Sequence, residues 1–194
     1  MEKGKNSSAW TEAGYTIFAE EGMAGIQVER LARMLNLNKS GFYHYFGDVD
    51  GFCDELISLH KEKAKLFLAD VATVKSIDPD YLMVCVKHKK EVMVHLQLLR
   101  HQGNPLFSAT AEKIDQEENF LLCDHWTHYL GIHDNPSLAM RYFKLVRDML
   151  YARISVKHLE YPFLHKSMME AKAVMQQMME AGHVKADHRL LKSL

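Results

Sequence analysis

Beyond residue 77, a residue that caps helices stands three times directly before a proline: Asp78-Pro79, Asn104-Pro105 and Asn135-Pro136. Proline is tolerated in the first turn of a helix, where its missing N–H would have no intrahelical partner. The Asp or Asn before it accepts from the free N–H groups that remain. Tyr161-Pro162 opens a fourth segment without a cap, and Gly22, Gly47, Gly103, Gly131 and Gly182 close segments in the complementary way. A chain punctuated like this is expected to fold as helices joined by short turns.

The apolar residues between these signals recur at helical spacing. Trp10, Ala13, Ile17 and Phe18 line one face of a first helix, and Val28, Leu31, Ala32 and Leu35 line a shorter second one. A long segment from about Val49 to Val74 follows, carrying Phe52, Leu56, Leu59, Leu66 and Phe67. Further helices are expected over Pro79–Gln102, Pro105–Ile114, Glu117–Leu130, Pro136–His158 and Pro162–Ala181. There is no strand alternation, internal repeat or low-complexity segment. The expected fold is all-α, an N-terminal three-helix headpiece over residues 1–47 and a helical-bundle body over 48–194, with the long fourth helix shared between them.

The most informative stretch is VERLARMLNLNKSGFYHYF, residues 28–46. Ala32 is small enough for two helices to cross closely, and Leu31 and Leu35 supply the buried face of the first. Asn36 stands where a tight turn needs a left-handed backbone, which asparagine tolerates. Asn38 is placed to cap the next helix, with Leu37 before it positioned to pack on Phe42. Phe42 and Phe46, four apart, turn inward and leave Lys39, Ser40, Tyr43 and His44 on outer or flanking faces. Ser40 and Gly41 keep the N-terminal end of this helix thin enough to approach base edges in a major groove.

An N-terminal helix ending in FAEEG, the Leu31-Ala32 pattern, a short turn and then KSGFYHYF together resemble the headpiece of the TetR family of transcriptional regulators, over about residues 7–60. The resemblance implies DNA contacts at Gln27, Lys39, Ser40, Gly41, Tyr43, His44 and Tyr45. It also implies a two-fold dimer built as a four-helix bundle from the last two helices, and a pocket in the body whose ligand alters the spacing of two headpieces. Four positions depart from the family pattern. Gln27 and Glu29 stand where Arg and Ser or Thr are common, and Asp48 and Asp50 follow the recognition helix where a lysine is common. From Met1 to Phe46, Lys3, Lys5, Arg30, Arg33 and Lys39 are balanced by Glu2, Glu12, Glu20, Glu21 and Glu29. Modest DNA affinity is expected, or a strong dependence on a flexible arm bearing Lys3 and Lys5.

The body is less specific. His88, Glu91 and His95 share one helical face, and His125 and His128 form an i, i+3 pair near Cys123. Solvated or hydrogen-bonded histidines are more common than metal ligands at such spacing, and neither a metal nor a cofactor is expected. Candidate pocket residues are His95, Leu99, Phe120, Trp126 and Tyr129, with ordinary core packing as the alternative. Their apolar character points to an uncharged or weakly polar small molecule. Leu138, Tyr142, Leu145, Val146, Met149 and Leu150 on one late helix, and Met168, Met169, Val174, Met175, Met178 and Met179 on the next, form either core or an adaptable face for a second copy.

The chain has 194 residues, 47% of them hydrophobic, and a formal net charge of -1. That size accommodates a headpiece and a body with a sizeable core. The charge excludes a DNA grip that rests on bulk electrostatics alone. Cys53, Cys85 and Cys123 are odd in number and widely spaced, which fits reduced thiols rather than a disulfide framework. No apolar run suits a membrane span or a secretory signal, so a cytoplasmic protein is expected. Three functional classes remain: a repressor that binds a palindromic operator as a homodimer and is released by a ligand, a helical ligand- or metal-binding module that keeps the fold without touching DNA, and an enzyme. No nucleophile motif, phosphate-cradling loop or zinc signature supports the third.

Overall fold

The computed structural model describes the backbone of residues 2–101 and 103–190, and the side chains of residues 6–101 and 103–181. Among them are nine α-helices and no strand. The headpiece comprises α1 (Glu2–Glu21), α2 (Val28–Leu35) and α3 (Lys39–Phe46), and α4 (Val49–Val71) leads from it into the body. A short 3-10 turn over Gly22–Gly25 joins α1 to α2. The segment expected as a flexible arm is helical from Glu2 onward, and the side chains of Lys3 and Lys5 lie outside the described residues.

The prolines act as expected at two of the three capped sites. Asn104 accepts from Leu106 N and Phe107 N ahead of α7 (Pro105–Leu130), and Asn135 accepts from Leu138 N ahead of α8 (Pro136–Arg153). Asp78 does not cap. Its backbone is extended, at φ -125 and ψ 117, and Ser76 accepts from Asp80 N instead. The Asp78 carboxylate is held by the Tyr161 hydroxyl at 2.8 Å and by His165 Nδ1 at 2.6 Å, so a long-range tether to α9 (Tyr161–Leu190) outweighs the local cap. Gly47, at φ 77, and Gly131, at φ 72, end α3 and α7 in conformations that a Cβ disfavours.

Several expected boundaries moved. The helix expected over Pro79–Gln102 is a wide turn over Ile77–Tyr81, then α5 (Leu82–Lys87) and α6 (Lys89–Arg100); Gln102 lies outside the described residues. The break falls at His88, whose Nε2 is 2.6 Å from Asp70 of α4 and whose ring meets Phe67 edge-on. Tertiary anchoring of that side chain outweighs helix continuation. The two helices expected over 105–130 are one, since no Gly or Pro interrupts the run. α8 ends at Arg153 rather than His158, because Ile154 and Leu159 leave the helical path to bury themselves in the core. α9 continues through Gly182 to Leu190.

One continuous hydrophobic core runs from Trp10 and Phe42 in the headpiece to Leu150 and Met168 in the body. Its continuity depends on α1, which packs against both α4 and α6. Gln97 of α6 donates to the Ala19 carbonyl, and Lys90 Nζ donates to Thr16 Oγ1 at 3.0 Å. The headpiece is therefore seated on the body by two helices. Cys53 and Cys85 are buried and Cys123 is half-buried, all as free thiols. No helix among the described residues is long and apolar enough to cross a membrane.

Candidate nucleic-acid interface and body cavity

The tight turn between α2 and α3 is specified locally. Asn36 adopts the left-handed conformation at φ 52 and ψ 44, and its N–H and that of Leu37 donate back to Arg33 O and Ala32 O. Asn38 then accepts from Ser40 N at 3.0 Å and starts α3. Within α3, Phe42 is fully buried, its ring 5.5 Å from Trp10 and 5.0 Å from both Phe46 and Phe52. Anchoring that face turns Lys39, Ser40, Tyr43 and His44 to solvent, while Gly41 is half-buried. Tyr45 is also half-buried and packs against the core, with its ring edge-on to Phe46. Gln27 is exposed, in extended conformation just before α2, and its side chain makes no cap bond.

The charges beside this face are largely matched within the headpiece. Lys39 Nζ donates to Glu29 at 3.0 Å, and the Lys39 ammonium holds the Glu29 carboxyl below its ordinary range. Arg30 makes a two-pronged pair with Glu21, both contacts at 2.6 Å. Asp48 has a structural task, accepting from Gly51 N at 2.8 Å as the cap of α4. Gly51 itself is required at that corner, since a Cβ there would lie 2.2 Å from the Phe46 carbonyl oxygen. Asp50 is exposed in the first turn of α4.

Residues 11–56, from α1 through the helix-turn-helix into α4, match the family model of the bacterial regulatory proteins, tetR family. The chain carries a TetR-family headpiece. That headpiece is the DNA-binding part of transcriptional regulators of the TetR type. No curated protein and no solved structure matches the chain. All seven candidate contact residues of the TetR-type headpiece fall within the matched span.

The structure does not bring together the five candidate pocket residues. An apolar cavity of about 50 Å³ lies in the body among α4 to α9, and of the five only His95 lines it. Phe120 is 84% exposed on the far side of α7. Trp126 is fully buried, donating from Nε1 to the Ala139 carbonyl at 2.7 Å, and Tyr129 stacks on it at 5.6 Å. Leu99 is half-buried against the core. All four thus serve packing or face solvent, because helical spacing cannot show which of two apolar faces encloses a void.

One side of the cavity carries polar side chains, His60, His95, Arg147, Glu118 and Tyr81, which are linked to one another through Tyr15 and Asp115 behind the wall. The Tyr15 hydroxyl of α1 meets His60 Nδ1 of α4 at 2.9 Å, and the His60 ring lies 6.1 Å from that of His95. His95 Nε2 is 2.8 Å from Asp115, which takes both terminal nitrogens of Arg147 at 2.8 and 2.7 Å. Arg147 also lies 3.6 Å from Glu118, which accepts from the Tyr81 hydroxyl at 2.9 Å. Burial raises the Asp115 carboxyl, but the bond from His95 and the charges of His95 and Arg147 outweigh it and leave it below its ordinary range. Burial dominates at Glu118, which is raised. Of these groups the sequence pointed only to His95, although a signal exists for others: Glu118 stands between Ile114 and Leu122, and His60 between Leu56 and Ala64, each four residues apart on a buried face. Among the described residues, no three His, Cys, Asp or Glu side chains converge on a point that could hold a metal.

His60 makes stability depend on pH. Burial, with a contribution from His95, pushes its imidazole from 6.5 down to about 3. Below the ordinary value the unfolded chain binds the proton more readily than the folded one. The stability gained by keeping His60 neutral is therefore complete above about pH 6.5 and is lost as pH falls toward about 3, at up to about 1.4 kcal/mol per pH unit. Urea unfolding between about pH 7 and pH 5 should show a shallower pH slope for His60→Gln than for the wild type. Equal slopes would mean that water reaches the wild-type ring.

Proposed function

We propose that the chain is a repressor that binds an inverted-repeat operator as a homodimer in the cytoplasm and is released by a small, largely uncharged ligand held in the body. In this reading residues 1–47 bind DNA and residues 48–194 bind ligand and partner. The observation that carries it is the outer face of α3, where Lys39, Ser40, Tyr43 and His44 are exposed while Phe42 and Phe46 anchor the helix from behind. Gln27, Gly41 and Tyr45 flank that face. A hydroxyl such as that of Tyr43 donates to phosphate and sets register, while Lys39 at the N-terminal end of α3 faces the groove floor.

Two-fold pairing is supported by the late helices. Val146, Leu150, Met168 and Met175 are buried in the core, whereas Leu138, Leu145 and Met149 on α8 and Met169, Val174 and Met178 on α9 are exposed. These outward apolar side chains suit a four-helix bundle with the same two helices of a second copy. Selection of duplexes from a random pool at two salt concentrations tests the whole reading. Enrichment of an inverted repeat is expected, with half-site centres about one helical turn, or a multiple of one, apart. If no repeat is enriched at either salt concentration, the repressor reading is lost, and a helical ligand-binding module on the same fold takes its place.

Asp50 offers a sharper check. Exposed in the first turn after the recognition helix, its carboxylate opposes a phosphate brought to that corner. Asp50→Lys should tighten operator binding and steepen its salt dependence by up to about one unit of log–log slope. An unchanged slope would place residue 50 away from the DNA backbone.

A further inference from the structure

We propose that the body cavity reads a ligand's head group through His60 Nε2, His95 Nδ1 and Arg147 Nε, and that this head is uncharged and both donates and accepts hydrogen bonds, a hydroxyl in its simplest form, on a compact apolar body. The proposal rests on the reading of the body as a ligand site and names what that site selects. These three nitrogens are buried and have no hydrogen-bond partner among the described residues. Their residues are 1%, 5% and 5% exposed and all line the same cavity. Buried polar atoms are nearly always bonded, so three orphans around one void mark a place where something else supplies the bonds.

Their proton states follow from their other partners. Arg147 Nε always carries a hydrogen. His95 Nε2 faces the ionised Asp115 carboxylate, which can only accept, so His95 Nε2 carries the hydrogen and Nδ1 of the neutral ring presents a lone pair. His60 Nδ1 lies 2.9 Å from the Tyr15 hydroxyl, and in the tautomer proposed the phenol donates to Nδ1 and Nε2 carries the N–H. The cavity thus offers two donors and one acceptor. A hydroxyl accepts from the first two and donates to the third, whereas a bare carbonyl leaves His95 unserved and a hydrocarbon serves none.

Charge and size narrow the class further. The Arg147 guanidinium is already met by Asp115 on two nitrogens and by Glu118 at 3.6 Å. An anionic head would stand beside those two carboxylates, and a cationic one beside Arg147. The remaining wall is mainly apolar, including Phe67, Leu82, Val92, Phe143 and Leu164, with Glu91 as a further carboxylate and Tyr81 and Tyr151 as the hydroxyl-bearing residues. A void of about 50 Å³ is smaller than the roughly 150 Å³ that admits a benzene ring. A single ring therefore requires Ile154 and Leu159, which line the cavity from the α8–α9 connection, to yield.

Calorimetry of the full chain near neutral pH with four matched probes tests this: para-cresol, para-xylene, para-toluate and para-methylbenzylamine. Para-cresol should bind about tenfold tighter than para-xylene, the worth of one net hydrogen bond, and tighter than either ion. His95→Leu should bring the cresol-to-xylene ratio close to one. Should that variant not fold, the wild-type series decides alone. Equal binding of cresol and xylene, tightest binding of an ion, or no binding by any probe would each overturn the proposal, the last meaning that water alone serves the three nitrogens. An operator titration separates it from the release reading. Cresol preference without any loss of DNA affinity leaves the head-group assignment standing and removes release. Release by another compound, with no cresol preference, does the reverse.

Discussion

Replacing Arg147 with methionine is expected to destabilise the protein by about 3–5 kcal/mol in urea unfolding, because it strips two buried carboxylates of their shared cation. Arg147 is 5% exposed, Glu118 is 4% exposed and Asp115 is largely covered. With the guanidinium gone, Asp115 keeps only His95, and Glu118 keeps only the Tyr81 hydroxyl. The loss measures the burial of unpaired charge rather than the worth of the pair itself. Replacing Arg147, Asp115 and Glu118 together by apolar residues of similar size should therefore recover most of it. A single substitution costing less than about 1 kcal/mol would mean that water enters the cavity and solvates the carboxylates.

The second large effect is expected at Phe42→Ala, at about 3–5 kcal/mol. This side chain is fully buried, and its ring lies 5.0 to 5.5 Å from those of Trp10 of α1, Phe46 of α3 and Phe52 of α4. It thus ties α3 to both α1 and α4 through ring contacts. Its removal should loosen the recognition helix first, seen as loss of amide hydrogen-exchange protection over residues 39–46 and loss of DNA binding. Tyr43→Phe, one residue away and 51% exposed at Tyr43, should change stability by less than about 0.5 kcal/mol while weakening DNA binding similarly across sequences. If Phe42→Ala leaves exchange and DNA binding unchanged, the aromatic cluster does not position α3.

The contrast between headpiece and body shows what a sequence makes legible. The α2–α3 turn is encoded by adjacent residues: Asn36 takes the left-handed conformation, Asn38 caps, and Phe42 and Phe46 point inward, all as local rules require. The caps at Asn104 and Asn135 were readable for the same reason. Asp78 was misread because its carboxylate answers to Tyr161 and His165, more than eighty residues away. The lining of the cavity was not legible for the same reason. Trp126 and Tyr129 are apolar enough to line a pocket but are used for stacking, while His60, Glu118 and Arg147 form the polar wall because α4, α7 and α8 bring them together. Local chemistry specifies turns and faces; it does not specify which faces meet.

The paired charges of the headpiece bear on how such a regulator finds its site. Glu29 and Glu21 already serve as counterions to Lys39 and Arg30. DNA must displace them, where free cations would simply release condensed ions from the duplex. The sequence-independent attraction that holds most regulators to bulk DNA is therefore expected to be weak here, which a shallow salt dependence on non-operator duplex would show. A headpiece of this kind spends little time parked on unrelated sequence, and its occupancy depends more on the ratio between operator and background than on absolute affinity. The near-neutral surface that is expected to make binding modest should thus also leave more of the protein free to search for its site.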